Sequence, residues 1–560
     1  MDANDDYPSA SAGLRWQSAS RVLFFAFVLI VGLVGYAISQ FRGLSDPLAM
    51  EAAQVARNLA EDRGFVTDCI RPFDYGYLKE RGILPDRTDA AFPVLWMAPG
   101  LPAMQSIAFR LVKPSFIATG NGNYLIPAET YVILPLGILF TLLTVLAVWL
   151  LGNALFDARV ATLSCIAYAG SAVALDSAIS GIPVSFAALP TVLCLLFVVH
   201  AVQRAAAIEA GWIVALLVLL AAACAAAATL IDYGMLTVGI AAGLLLTVEL
   251  QRRRGLMLML YALVLGGLLA TWLLSSHQGI RGLAAIPYAA LRDTFLFPGD
   301  SLERTVTPAV NAYRMSAAIR QGVAMRLMAL ASGKDLAHGG IILAFFLLAL
   351  FHRYEHSVCR WLKGTTVMVA LLLALFPPVP GSTLGGWVAM YPVMVVLGMS
   401  AFVDYLDREE LFDVSLRPLL TGLMMILCLL PTGLRMVSGG ATAYPPYHAP
   451  LQRFAGEVPQ AGQALLTDIP WATAWYGRCR SIQLPLRPDD VTNLPGGWDA
   501  IGGIYLTTTQ TASSDPAWSL LLLGQQVPDA IPFEHGVRLP AGRLDQLLLT
   551  PGNRWEQPEP

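Results

Sequence analysis

The sequence predicts a polytopic, all-α membrane domain followed by a small extracytoplasmic α/β domain. Composition is the first reason: of 560 residues, 56% are hydrophobic and only 13% charged, whereas ordinary soluble domains carry about 25% charged residues. The second is the recurrence of apolar runs long enough to cross about 30 Å of hydrocarbon. The third is a change of pattern past residue 436, where short apolar runs alternate with turns.

The runs are Val22 to Ile38, Tyr131 to Leu151, Val160 to Leu175, Ile182 to Val199, Trp212 to Ile231, Met235 to Leu250, Leu256 to Leu274, Leu336 to Phe351, Trp361 to Phe376, Leu384 to Val403 and Leu419 to Leu434. They predict about eleven transmembrane helices. The first follows Arg15 and Arg21, is long enough to span and precedes many others, so it reads as a retained anchor and not as a cleaved signal. Short connections on one side contain Arg159, Arg204, Arg252 to Arg254, Arg353, Arg360, Lys363, Arg408 and Arg417, while those on the other side contain no Lys or Arg. The positive-inside bias therefore places the N-terminus in the cytoplasm.

This division gives a cytoplasmic tail (1–21), a membrane domain (22–435) with outer loops 40–130 and 275–335, and an outer domain (436–560). Phe92 to Leu101 reads as an interfacial or re-entrant helix. In the outer domain Gln463 to Asp468, Ser481 to Leu484 and Gly503 to Thr508 read as strands, and Pro470 to Gly477 as a short helix or turn.

Several function classes are excluded or left without support. A net charge of −3 gives no reason to expect nucleic acid. The seven cysteines form no CxxC and no Cys/His cluster at metal-ligand spacing, so no cofactor and no Cys/His metal site is expected, while a divalent metal ion stays open. Cys69 and Cys479 both fall outside the membrane, where a disulfide is open to them. Ionisable residues are nearly absent from the centres of the spans and gather at the outer boundary, which favours surface chemistry over transport.

Asp46 is the leading chemical candidate. The segment Ser45-Asp46-Pro47 begins a helix in which the carboxylate caps free N–H groups and Pro occupies the first turn. Leu48, Ala52, Val55 and Leu59 then share one face, as expected of an amphipathic helix on the membrane surface. Capping and catalysis are compatible roles, since a helix N-terminus also favours a nearby anion. Glu51, further along that helix, reads as solvated or as a second site carboxylate. Asp232 reads as a turn residue, and Trp471, Trp475 and Tyr476 as packing of the outer domain.

Asp46, the run Ala56-Arg57-Asn58-Leu59-Ala60-Glu61-Asp62-Arg63-Gly64-Phe65, and Phe92-Pro93-Val94-Leu95-Trp96 together resemble the first outer loop of the GT-C integral-membrane glycosyltransferases. The nearest resemblance is to glycosyltransferase family 39, the protein O-mannosyltransferase and aminoarabinose-transferase group. That resemblance implies an inverting transferase in the plasma (inner) membrane. It implies a polyprenyl-phosphate sugar donor in the bilayer, a lipid, glycan or protein acceptor, and Asp46 as general base. It also implies polar and charged partners for donor phosphate or acceptor, for which Arg42, Glu51, His277, Arg281, Asp176 and Tyr391 are the candidates. The basic residue expected near the outer end of a late span is not seen in Gly386 to Pro392, which offers only Trp387 and Tyr391. A transporter or flippase of lipid-linked saccharide, and a non-catalytic protein of the same fold, remain the alternative readings.

Overall fold

The computed structural model describes residues 27–80, 82, 91–94, 97–117, 125–207, 211–250, 254–275, 304, 334–375, 386–408, 415–438, 449–494, 496–507, 516–522, 531–533, 535–541 and 544–550. Helix α1 is Phe27–Gln40. In the first outer loop come α2 (Pro47–Ala60), β1 (Val66–Thr67), β2 (Cys69–Ile70), α3 (Pro72–Glu80), β3 (Phe92–Pro93) and α4 (Gly100–Val112). A π-helical turn, Glu129–Ile133, leads into α5 (Leu134–Leu155). The membrane domain continues with α6 (Ala158–Gly170), α7 (Ala172–Ser180), α8 (Pro183–Ala206), α9 (Gly211–Ile231), α10 (Leu236–Glu249) and α11 (Arg254–Ser275). It closes with α12 (Lys334–Phe351), α13 (Ser357–Leu375), α14 (Tyr391–Asp407) and α15 (Arg417–Ser438).

Among the described residues, six helices are long and apolar enough to cross a membrane, or seven if the bent pair α6 and α7 counts as one span. Phe27–Gln40, Tyr233–Glu249 and Gly340–Phe351 are shorter apolar helices. The bend of 55° between α6 and α7 has a local cause. Ser171 leaves the helical region and caps the new helix, its Oγ accepting from Ala174 N at 3.2 Å. Gly181 then ends α7 at φ +71°, and a side chain there would strike Leu44 at 2.9 Å. This close approach packs the end of α7 against the segment that enters α2. The Ala-rich stretch of α9 buries Ala221, Ala222, Ala225, Ala226 and Ala228, and small side chains of this kind let helix backbones approach in lipid.

Two expectations for the first outer loop need correction. Helix α2 does not lie on a surface with one wet face, because every residue from Leu48 to Asn58 is buried. Its polar residues are matched by neighbours instead: Gln54 bonds Asp68 and Thr67, and Asn58 donates to the carbonyl of Val66. The stretch Phe92 to Leu101 is not one helix either. Phe92–Pro93 pairs antiparallel with Val66–Thr67, and α4 starts only at Gly100. Pro93 and Pro99 both withhold backbone N–H groups from a helix over those positions.

The outer domain contains α16 (Ala449–Gly456), β4 (Ala464–Thr467), α17 (Pro470–Tyr476), β5 (Ser481–Gln483), β6 (Ile501–Leu506), α18 (Pro516–Leu522), β7 (His535–Ala541) and β8 (Leu544–Thr550). Its six-stranded mixed sheet has the order β2-β5-β4-β6-β8-β7. Strand β2 comes from the first outer loop and pairs parallel with β5, Cys69 opposite Ser481. One edge of the outer sheet is thus supplied by a segment almost four hundred residues earlier in the chain, about the separation of β2 and β4. Cys69 and Cys479 remain free thiols.

Candidate functional site

Asp46 occupies the N-cap of α2 with extended backbone, φ −94° and ψ 132°, and its Oδ1 accepts from Leu48 N at 2.9 Å. The residue is 1% exposed. Two residues earlier, Leu44 packs against Gly181 and its carbonyl accepts from the Tyr476 hydroxyl at 3.2 Å. The carboxylate therefore sits where the first loop, the α7–α8 turn and the outer domain meet.

Arg57, on the same helix, binds the outer domain. Its guanidinium donates to the carbonyls of Ala474 and Trp475 at 2.9 Å each, lies 3.8 Å from Asp68, and stacks over the Trp475 ring. Burial lowers its pKa to about 10 despite the opposing pull of Asp68, so the group stays charged at neutral pH. The expectation that Glu51 is solvated does not hold. It is buried and paired with Arg71 at 2.6 Å, with the Cys69 thiol 3.6 Å away.

A second cluster lies where α1, α7 and α15 meet. Asp176, on α7, accepts from Arg435 of α15 at 2.8 Å and from the Tyr36 hydroxyl of α1 at 2.5 Å. Arg435, Tyr391 and Ser171 line a cavity of about 170 Å³ whose remaining wall is apolar, with Ile341, Ile342 and Leu427 among its residues. Tyr391 is fully buried, edge-on to Trp387 at 5.7 Å. Asp46 is not among the residues lining this cavity. The two places are joined through α7, which carries Asp176 and ends at Gly181, against which Leu44 packs.

Of the residues singled out from the sequence, Asp176 and Tyr391 are thus brought to one cavity region. Arg42 stays exposed, donating to the carbonyls of Phe41 and Ile38. His277 and Arg281 lie outside the described residues. Arg435 is not among the expected residues, since the basic group was expected within Gly386 to Pro392. The signal was present in the last span, Leu430-Pro431-Thr432-Gly433-Leu434-Arg435, where Arg marks the outer end. Glu129 is not among the expected residues either. It is buried at the head of α5, and its Oε1 accepts from the Trp475 indole at 2.7 Å.

Asp232 follows α9 and accepts from Gly234 N at 2.8 Å. Burial raises its carboxyl to about 6. A carboxyl raised on folding destabilises the native state progressively as pH climbs from its ordinary value of about 4 to about 6, and the penalty is constant above that, where the folded protein holds a desolvated charge. Asp232→Asn keeps the acceptor oxygen and removes the charge. The variant should gain up to about 3 kcal/mol over the parent at pH 8, keep about half of that advantage at pH 5, and converge with it only below about pH 4. Thermal unfolding in detergent at these pH values checks this, and an advantage that grows as pH falls would contradict it.

No family model and no curated protein matches the sequence. Solved structures do. The archaeal oligosaccharyltransferase AglB from Archaeoglobus fulgidus, in complex with an inhibitory peptide and a dolichol-phosphate, aligns with TM-score 0.54 at 12% identity, over 96% of this chain and 75% of that one. ArnT from Cupriavidus metallidurans in the apo state aligns with TM-score 0.53 at 13% identity, over 95% and 98%. The fold resembles that of GT-C membrane glycosyltransferases. ArnT bound to undecaprenyl phosphate gives TM-score 0.50 at 14% identity over the same shares. At such identities the likeness concerns architecture, and chemistry has to be argued from this chain's own residues.

Proposed function

We propose that this chain is an inverting membrane glycosyltransferase, of the family 39 kind, that moves a sugar from a polyprenyl-phosphate donor to an acceptor hydroxyl on the outer face. The observation that carries the reading is the connection of two polar sites through α7. At one end lies the capped carboxylate Asp46, and at the other a partly apolar cavity lined by Arg435, Tyr391 and Ser171. A polyprenyl-phosphate needs such a pairing of an apolar wall with cationic and hydroxyl donors. Binding of dolichol-phosphate by AglB and of undecaprenyl phosphate by ArnT supports a lipid phosphate as the partner.

In this reading Asp46 takes the proton of the acceptor hydroxyl as its oxygen attacks the anomeric carbon. The bond from that carbon to the phosphate oxygen breaks, the lipid phosphate leaves with the electron pair, and the configuration inverts. Arg435 and the hydroxyls of Tyr391 and Ser171 offset the charge gathering on the phosphate. Asp176 holds the guanidinium in register when the cavity is empty. Because Asp46 is covered, the reading also requires its cover to open for the acceptor. The reading takes eleven crossings with the N-terminus in the cytoplasm, which would put all these groups on the outer side of the plasma membrane, and the Arg-rich short connections support that orientation.

Transport of a lipid-linked saccharide is the weaker reading, because the described carboxylates and guanidinium sit at helix ends and not in mid-span. The deciding experiment mixes purified protein, a labelled polyprenyl-phosphate sugar and membrane acceptors, and follows release of the lipid phosphate. Arg435→Gln should raise the donor KM about tenfold to a hundredfold, the worth of a hydrogen bond to a charged group. A donor KM unchanged in that variant would remove Arg435 from the site.

A further inference from the structure

The junction between the outer domain and the head of α5 contains a buried carboxylate, Glu129, with no ion-pair partner among the described residues. Glu129 is 1% exposed and opens the π-helical turn Glu129–Ile133, an irregularity that costs helical regularity and recurs at functional positions. Its Oε1 accepts from Trp475 Nε1 at 2.7 Å. Its Oε2 lies beside the Tyr476 hydroxyl and the Leu44 amide without a well-aligned hydrogen bond to either.

The same oxygen bears on the turn that leads to Asp46. Gly43 has φ +102°, and a Cβ built there would stand 3.0 Å from Glu129 Oε2 and 3.4 Å from the Tyr476 hydroxyl. Only glycine suits both that backbone angle and that space. Tyr476 in turn donates to the Leu44 carbonyl. Glu129 and Tyr476 thus hold residues 43 and 44 immediately before the cap of α2, and Trp475 holds the Glu129 carboxyl.

We infer that Glu129 is a positioning residue: through Trp475 and Tyr476 it couples docking of the outer domain to the placement of Asp46. The inference rests on the glycosyltransferase reading for its kinetic arm, and has a second arm that does not. The clamp needs an acceptor for the Trp475 indole and the volume of the side chain beside Gly43, both of which an amide in place of the carboxyl would keep. Displacement of a catalytic group by about 1 Å is enough to cost about 10²-fold in rate, so loosening this turn should fall on kcat more than on donor KM.

The test compares Glu129→Ala, Glu129→Gln and Trp475→Phe, the last serving if the alanine variant does not fold. Hydrogen exchange in residues 43–50 and in α17 should speed up together in Glu129→Ala and Trp475→Phe. In the same variants kcat should fall about 10²-fold with donor KM within about twofold, and Glu129→Gln should recover most of the rate. The double variant Glu129→Ala/Trp475→Phe should be no worse than the worse single. Unchanged exchange at residues 43–50 overturns the coupling, whatever the activity. Faster exchange in a protein whose wild type transfers no sugar leaves the coupling standing and refutes the enzymatic reading. Faster exchange with unaltered kcat leaves Glu129 a structural clamp and overturns its positioning role.

Discussion

Asp46→Asn should lower sugar transfer by about 10² to 10⁴-fold, the usual worth of a positioned general base, while the protein folds as before. The substitution separates two roles that the structure superimposes on one side chain. Asn caps a helix about as well as Asp, and it retains an oxygen for the Leu48 amide, now accepted at 2.9 Å. The cap therefore survives, and only the capacity to take a proton is lost. Asp46→Ala removes both, costing about 1 kcal/mol of helix stability in addition. The measurement is single-turnover transfer from a labelled donor, beside thermal unfolding of each variant. If Asp46→Asn keeps its rate and Asp46→Ala loses stability alone, Asp46 is a cap and nothing more.

Arg57→Ala should destabilise the docking of the outer domain by about 3–5 kcal/mol, the range for removing one member of a buried charged contact. The guanidinium donates to the adjacent carbonyls of Ala474 and Trp475, and its loss leaves both without that donor. The stacked faces of Trp475 and Phe116, 5.4 Å and 6.0 Å from the guanidinium carbon, lose their cation as well. Arg57→Lys restores the charge but not the planar fork that reaches two carbonyls together, and should recover part of the loss. Hydrogen exchange in α17 and the unfolding midpoint in detergent report the effect. A destabilisation below about 1 kcal/mol, the value of an exposed pair, would show that the outer domain is held by other contacts.

The helices of the membrane domain and the strands β4, β5 and β6 are legible in the chain because their signals are local. An apolar run of sufficient length has few alternatives in lipid, and a short buried strand between turn residues announces itself by pattern. The Asp46 cap is equally local, encoded in Asp46-Pro47. The environment of α2 is not. Its apolar stripe implied one wet face, yet Glu51, Gln54, Arg57 and Asn58 are all enclosed, because the first loop and the outer domain supply partners that no window of α2 contains. The edge strand β2 escaped notice for a similar reason: two residues form no period, and Cys69–Ile70 becomes a strand only by pairing with β5.

The sequence by itself determined that this is a multi-pass membrane protein with a small C-terminal mixed-sheet region, and that a carboxylate stands at the start of α2. Those features follow from hydrophobicity and capping, which act over a few residues. Tertiary structure alone decided the pairing of Arg435 with Asp176 across 259 positions and of Trp475 with Glu129 across 346. Such contacts depend on which helix ends share a level and how the outer domain docks, and those are properties of the packed chain that no local segment encodes.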